Sequence, residues 1–246
     1  HPYEISGPDA EKLLQKIFTR DISKIKVGRC SYQFACYSDG GMITDGVLLR
    51  LEENKFWFAQ ADGDLFSWYK AHSENLKVKI SDPDVWVSQI QGPKSMDLLK
   101  KLTKETYPEN WKYFDWREVE ILQEKLIISR SGFSNELGWE IYFTKINNTE
   151  KIGDYILEEG KKMGMILTGT PGFRCKRIES GLLSAGQDFN HKTNPYDVGL
   201  GKYVDLNKSY FIGKSALQSV DKETRCWGIR VEGGTALKGT YIKFNN

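Results

Sequence analysis

Ile5-Ser-Gly-Pro-Asp-Ala-Glu-Lys-Leu-Leu-Gln-Lys-Ile17 reads as a strand, a Gly-Pro turn and a helix. Pro8 suits a first helical turn, where its missing amide hydrogen would have no partner anyway, and the apolar residues after it recur at helical spacing. Ile90-Gln-Gly-Pro-Lys-Ser-Met-Asp-Leu-Leu-Lys-Lys-Leu102 matches it position by position, and Phe211-Ile-Gly-Lys-Ser-Ala-Leu217 is a shorter echo. A motif that returns in this way signals an internal duplication. Two strand-and-helix lobes packed together give an α+β architecture rather than a doubly wound parallel sheet, with the Leu pairs 13–14 and 98–99 assigned to the cores.

Between the two long repeats, Ser31 to Cys36 and Gly46 to Leu51 read as strands joined by Tyr37-Ser-Asp-Gly-Gly-Met-Ile-Thr-Asp45, and Phe56 to Ala61 continues the sheet. Asp45 stands where a strand resumes after the Gly-Gly bend. A carboxylate there either caps loose backbone amides or is aimed into a pocket, and the residues alone leave both open. Asp64 to His72 reads as a helix and Val78 to Ser81 as a short strand.

After the second repeat, Glu118 to Ile121 and Leu126 to Ile128 lead into Ser129-Arg-Ser-Gly-Phe-Ser-Asn-Glu-Leu-Gly-Trp-Glu-Ile-Tyr-Phe143, two strands joined by a polar bend. Gly132 and Gly138 bracket it, and glycine permits a tight turn or close approach to a ligand. Glu136 lies between them, flanked by Phe133 and Trp139. A charge in an aromatic frame suits a flat polar heterocycle; the alternative is an ordinary hairpin with an exposed Glu at its tip.

Ile152 to Met163 reads as a helix. A second, from Gly169 to Leu183, is opened by Thr170 and Pro171, and its Arg174, Lys176 and Arg177 form a solvated face or bind an acidic tail. Asn194 to Gly201 reads as a glycine-bearing loop, and Thr224 to Glu232 as a strand of another module. The abrupt start at His1 and the abrupt end at Asn246 suggest a piece of a longer protein.

Composition narrows the function classes. The 246 residues carry 35 basic against 33 acidic side chains, so nothing advertises a nucleic-acid or membrane surface, and small-molecule chemistry is expected. No apolar run approaches the ~20 residues that span a bilayer. Four cysteines without a Cys-x-x-Cys spacing and only three histidines point to a reducing, cytoplasmic setting and away from structural zinc.

Four short motifs, in order, make the chain resemble the folate-dependent aminomethyltransferases typified by the glycine-cleavage T-protein. The family's Gly-Tyr-Thr-Gly-Glu hairpin is similar to Gly132-Phe-Ser-Asn-Glu136, its Arg-Leu-Glu-Ala-Gly-Leu helix to Arg177–Leu182, its Pro-x-Glu-x-Gly-Leu loop to Pro195–Leu200, and its Gly-Gly hairpin to Gly40-Gly41. The resemblance implies tetrahydrofolate held within a ring of three subdomains. It implies a folate-binding domain over residues 1–220, with its second lobe at roughly 83–170, and the beginning of a C-terminal β-barrel over 221–246. Carried over by position, Glu136 matches the acid that hydrogen-bonds the pterin, where a carboxylate takes two adjacent N–H donors. Arg177 matches an arginine near the glutamate tail, Tyr32 a pocket-lining tyrosine, and Gln60 an asparagine that contacts the pterin.

The glycine-cleavage members carry two adjacent acids after the Gly-Gly bend, the first of them catalytic, whereas this chain has Thr44-Asp45. Thr44 cannot act as an acid. The single acid looks more like the folate-dependent demethylases, especially dimethylsulfoniopropionate demethylase. The expected activity is therefore transfer of a one-carbon group from a small donor, a sulfonium or quaternary amine, to N5 of tetrahydrofolate. Asp45 orients or deprotonates N5, and Tyr32, Phe133 and Trp139 offer cation-π attraction to the donor. The rival is an aminomethyltransferase served by a lipoyl carrier protein. A non-catalytic folate binder is a further alternative, although the Lys-Gly-Cys-Tyr-x-Gly-Gln signature of such relatives is absent. So is a folate module once fused to a flavin oxidase.

Overall fold

The computed structural model describes residues 2–60, 63–104, 107–237 and 239–243. The expectations for His1, Ala61 and the last residues of the barrel lie outside them. The two long repeats fold alike. β1 (Pro2–Ser6) leads to α1 (Ala10–Ile17), and β6 (Val85–Gln91) to α3 (Ser95–Thr103). The glycine of each turn takes the left-handed half of backbone space, φ 118° at Gly7 and 119° at Gly92. In each case its carbonyl accepts a 3.0 Å bond from the amide three residues on. At Gly7 a Cβ would also come within 2.6 Å of Lys77 O, so glycine is required there twice over.

The first sheet adds β2 (Cys30–Cys36), β3 (Met42–Glu52), β4 (Lys55–Gln60) and β5 (Lys79–Ser81). The second adds β7 (Trp116–Ile121), β8 (Glu124–Ser129) and β9 (Gly138–Thr144). Their orders are β2-β3-β4-β1-β5 and β6-β9-β8-β7. Dropping β5, one order is the other reversed, which is the duplication expressed as topology. All pairings within the sheets are antiparallel.

Each sheet has a helix-covered face. In the first lobe α1 and α2 (Phe66–His72) set Leu13, Leu14 and Tyr69 against Ile5, Leu48 and Phe58. In the second, α3 and α4 (Thr149–Lys162) set Leu98, Leu99 and Ile152 against Ile128, Trp139 and Ile141. The other faces meet each other: Cys30, Leu49, Leu51 and Trp57 of the first sheet pack with Val85 and Tyr142 of the second. The layers run helix, sheet, sheet, helix, because alternating side chains give each strand two faces to cover. Polar bonds seal the junction. Cys30 N donates to Phe114 O at 2.7 Å and Trp116 N to Gly28 O at 3.0 Å, while buried Asp115 receives Arg29 from across the lobes and Arg117 at 2.9 Å.

A third unit closes over the end of β2 and β3, with Phe189, Val198, Phe211 and Leu217 packed on Phe34, Cys36 and Met42. It includes α5 (Thr170–Glu179), α6 (Lys214–Ser219) and the loop at 194–201. Lys208 staples it to the first lobe, donating to the carbonyls of Gln15, Phe18 and Arg20 at 2.6–3.0 Å. Thr224 to Glu232, expected as a strand, forms none, nor do the other described residues from 221 onward.

Candidate functional site

Asp45 lies within β3 rather than at its end, and alternation decides what it faces. Thr44 and Leu48 fall on one side of the strand, Asp45, Val47 and Leu49 on the other. Leu48 belongs to the helix-side core, whereas Leu49 and Val47 belong to the junction between the sheets. Asp45 is thereby turned toward the second lobe. Tyr32 of β2 donates its hydroxyl to Asp45 Oδ2 at 2.7 Å. Burial, and next the Asp45 charge, push the Tyr32 phenol far above its usual range, so it stays a donor and holds the carboxylate in one place.

The second lobe turns another acid, Glu140, toward the junction. Glu140 alternates with Trp139 and Ile141, whose side chains fill the helix-side core, and shares its face with Tyr142 of the junction. Ser131 Oγ donates to Glu140 Oε2 at 2.5 Å and is the one hydrogen-bond partner of this carboxylate among the described residues. Burial raises the Glu140 pKa, with the Ser131 bond working against it. A half-buried, desolvated carboxylate with one neutral partner costs stability, and acids kept at such a cost cluster at functional sites.

Two tyrosines connect the acids. Tyr203 packs edge-on against Tyr32, with ring centroids 5.2 Å apart. Burial raises the Tyr113 pKa, and the charges of Tyr203 and Glu140 add to it. Tyr113 stands on a strained backbone. Its neighbour Phe114 has φ 62° and is fixed by Phe114 N on Arg130 O and Cys30 N on Phe114 O. Asp45 and its partner Tyr32 on the first sheet and Glu140 on the second thus occupy the strand faces turned to the junction, and Tyr203 of the third unit packs on Tyr32.

Several expected site residues stand elsewhere. Glu136 is exposed at the hairpin tip and pairs with Lys176 of α5 at 2.9 Å. Trp139 is fully buried in the second core, its ring 4.7 Å from that of Trp111, because the strand face it occupies is the helix-covered one. Gln60 shares the strand face of Phe56 and Phe58 of the first core and donates to Gly63 O, again on the helix side. Arg177 is buried and held by Asp188 at 2.5 Å, Leu182 O and Gln187, so its charge serves the fold of the loop at 182–188. Phe133 remains beside the site: its amide donates to Gln89 Oε1, and Gln89 is the cross-strand partner of Glu140.

The bracketing glycines also have an internal explanation. A Cβ on Gly132 or on Gly138 would strike the Gln91 side chain, at 2.0 and 2.2 Å, so the close approach they permit is to Gln91. That amide then takes Ser134 Oγ and gives to Ser131 O, fixing the bend that carries Ser131 to Glu140. Glu140 was legible in principle, as the single charge inside the apolar run Trp139 to Phe143.

A family model described as the GCVT N-terminal domain matches residues 1–208. A trimethylamine-oxide aldolase of Ruegeria pomeroyi is 36% identical over 228 residues, covering 87% of this chain and 29% of that protein. The dimethylsulfoniopropionate demethylase of the same organism is 33% identical over 215 residues, with 87% and 58% covered. An aminomethyltransferase of Halothermothrix orenii is 28% identical over 249 residues, with 98% and 69% covered. Among solved structures, the glycine cleavage system aminomethyltransferase T of Bartonella henselae superposes with a TM-score of 0.81 at 22% identity, over 91% of this chain and 61% of that one, a likeness of fold. The chain spans less than two thirds of the length of the first two relatives.

Proposed function

We propose, from the premise that this chain belongs to the family of the GCVT N-terminal domain, that it binds tetrahydrofolate where its three units meet and serves one-carbon transfer to it. The observation that carries the reading is the pairing of two unlike acids on facing sheets. Asp45 is fixed by a phenol, and Glu140 is desolvated with one serine as its partner.

The residues fit a reduced pterin. Glu140 has acceptor capacity left beyond the Ser131 bond, and two neighbouring N–H donors of a flat heterocycle satisfy it better than solvent-poor surroundings do. Tetrahydrofolate supplies N5 as the nucleophile when bound. Asp45, held by Tyr32, orients the N5 hydrogen and receives the proton released on transfer. Tyr32, Tyr203 and Phe133 present ring faces or edges to a cationic donor carbon. The enclosing lobes exclude water and hold donor and acceptor in line.

Thr44 favours a methyl donor, a sulfonium or quaternary ammonium such as dimethylsulfoniopropionate, over an aminomethyl one. It is fully buried, and its strand face is the one turned from Asp45, so no second acid stands beside Asp45 from that position. The relatives are compatible with either donor, since they include both a demethylase and aminomethyltransferases.

Titration of tetrahydrofolate into the wild type, Glu140→Gln and Glu136→Gln tests the site. Loss of the bidentate charge-assisted pair costs about 2 kcal/mol, roughly 30-fold in Kd, at Glu140, while Glu136→Gln stays within about threefold. Equal weakening by both returns the pterin to the hairpin tip. Incubation with tetrahydrofolate and dimethylsulfoniopropionate is expected to yield methyl-tetrahydrofolate and methylmercaptopropionate. Ammonia release from a lipoyl-bound aminomethyl donor, without methyl transfer, selects the rival.

A further inference from the structure

Behind Glu140 runs a chain of hydroxyls. Ser131 Oγ donates to Glu140 Oε2 at 2.5 Å, Ser129 Oγ stands 2.5 Å from Ser131 Oγ, and Tyr142 Oη stands 3.4 Å from Ser129 Oγ. Sheet register builds the row. Ser129 of β8 is the cross-strand partner of Glu140 of β9, and Tyr142 pairs with Ile127, so Ser129, Glu140 and Tyr142 share the strand face turned to the junction. Water is kept from the chain: Ser129 and Tyr142 are fully buried, and Ser131 is nearly so. Both ends are held. Trp57 of the first sheet packs on the Tyr142 ring, with centroids 6.0 Å apart, and Gln91 grips Ser131 O.

Hydrogen counting gives the chain a direction. A hydroxyl has one hydrogen to give. Ser131 spends its own on Glu140, so the short contact between the serines takes the hydrogen of Ser129, and the next contact takes that of Tyr142. Turned the other way, the chain leaves the Tyr142 hydrogen buried with no acceptor among the described residues, a costly state. Three O–H dipoles therefore point towards Oε2 when Glu140 is ionised, and hydrogen bonds in series polarise one another. No cation competes with them. Tyr142, Tyr113 and Cys30 feel the Glu140 charge, and no charged group moves the pKa of Glu140 itself.

We infer that Ser131, Ser129 and Tyr142 are positioning residues for Glu140: the chain favours its ionised form and pins Oε2, leaving Oε1 to meet the ring donors of the bound ligand. The inference rests on the folate reading for the ligand, and on the geometry of β8 and β9 alone for the chain. Tyr142 hydrogen-bonds towards Glu140 only through the two serines, so its removal tests the series.

The ligand-free full chain is titrated by infrared spectroscopy, the Glu140 carboxyl band being the one absent from Glu140→Gln. Ser131→Ala is expected to raise the midpoint by about one pH unit, Ser129→Ala by less and Tyr142→Phe by least. Ser131→Thr keeps the hydroxyl and stays at the wild-type midpoint. Because ring N–H donors need the carboxylate, tetrahydrofolate affinity is lost as pH falls through each variant's midpoint, in the same order. Midpoints unmoved by both Ser129→Ala and Tyr142→Phe, even with a lowered melting temperature, overturn the chain and make these hydroxyls packing groups. Ordered midpoints in a wild type that does not bind tetrahydrofolate leave the chain standing and remove the folate reading. Bound tetrahydrofolate whose pH profile none of the three variants moves overturns the positioning role.

Discussion

The β2–β3 hairpin of the first lobe and the β8–β9 hairpin of the second are not counterparts under the duplication, since strand order matches β2–β3 to β7–β8, yet each sends an acid toward the junction. They treat it differently. Asp45 is met by a phenol that cannot ionise in its surroundings, so its charge is supported and its direction fixed. Glu140 is desolvated and given one serine, so its charge is left wanting partners. A supported carboxylate suits proton handling in a fixed direction, whereas a starved one suits capture of a ligand that brings its own donors. The duplication supplied two equivalent faces, and side-chain choice gave the two acids different surroundings.

That contrast breaks most visibly at Asp45. Asp45→Asn keeps the shape and the Tyr32 contact but removes the base; transfer is expected to slow about 10²- to 10³-fold with tetrahydrofolate affinity changed less than about threefold. Single-turnover rates set beside binding titrations decide this, and equal losses in both would reduce Asp45 to a binding residue like its counterpart.

The next largest effect tests whether the two hairpins are held face to face. Asp115 joins Arg29 of the first lobe to Arg117 of the second, and its replacement by Ala is expected to cost about 2–3 kcal/mol in chemical denaturation. Burial raises the Asp115 pKa, but the bonds from Arg29 and Lys112 outweigh it, so the folded value is lowered. Its contribution is therefore present above the ordinary aspartate value of 3.8 and lost as pH falls through the lower folded value. Asp115→Ala removes that acid step; an unchanged acid transition means the lobes are held by their apolar faces alone.

The smallest effect has the opposite sign. Because the folded pKa of Glu140 is raised above 4.5, the protonated form fits the fold better, and stability is lost as pH rises through that folded value. Glu140→Gln is expected to gain about 1 kcal/mol at neutral pH and nothing at pH values below 4.5, even as it weakens tetrahydrofolate binding. A loss of stability at neutral pH would mean that Glu140 is satisfied within the fold and is not a receptor.

Much of the fold was legible because its decisive signals are local. The Gly-Pro turns, the Leu pairs of α1 and α3, and the Gly-Gly hairpin follow from steric rules and periodicity that act over a few residues. The site was legible only where neighbours in the chain are neighbours in the site. Tyr32 and Asp45 share a hairpin and were placed together. Glu136 and Glu140 lie four residues apart in one hairpin, and motif position favoured the first. Trp139 reads as a pocket aromatic beside a glycine, yet it fills a core because α3 and α4 cover that face of β9.

By itself, then, the amino-acid sequence determined the strands, the helices and the twofold plan, since backbone sterics and apolar spacing are carried by the chain at short range. Tertiary structure alone decided which acids the strand faces turn to the junction and which partners hold Arg177. The face of a strand that becomes a site is set by what packs on the other face, and the availability of a charge by partners such as Asp188, brought to it by the fold of the loop after α5.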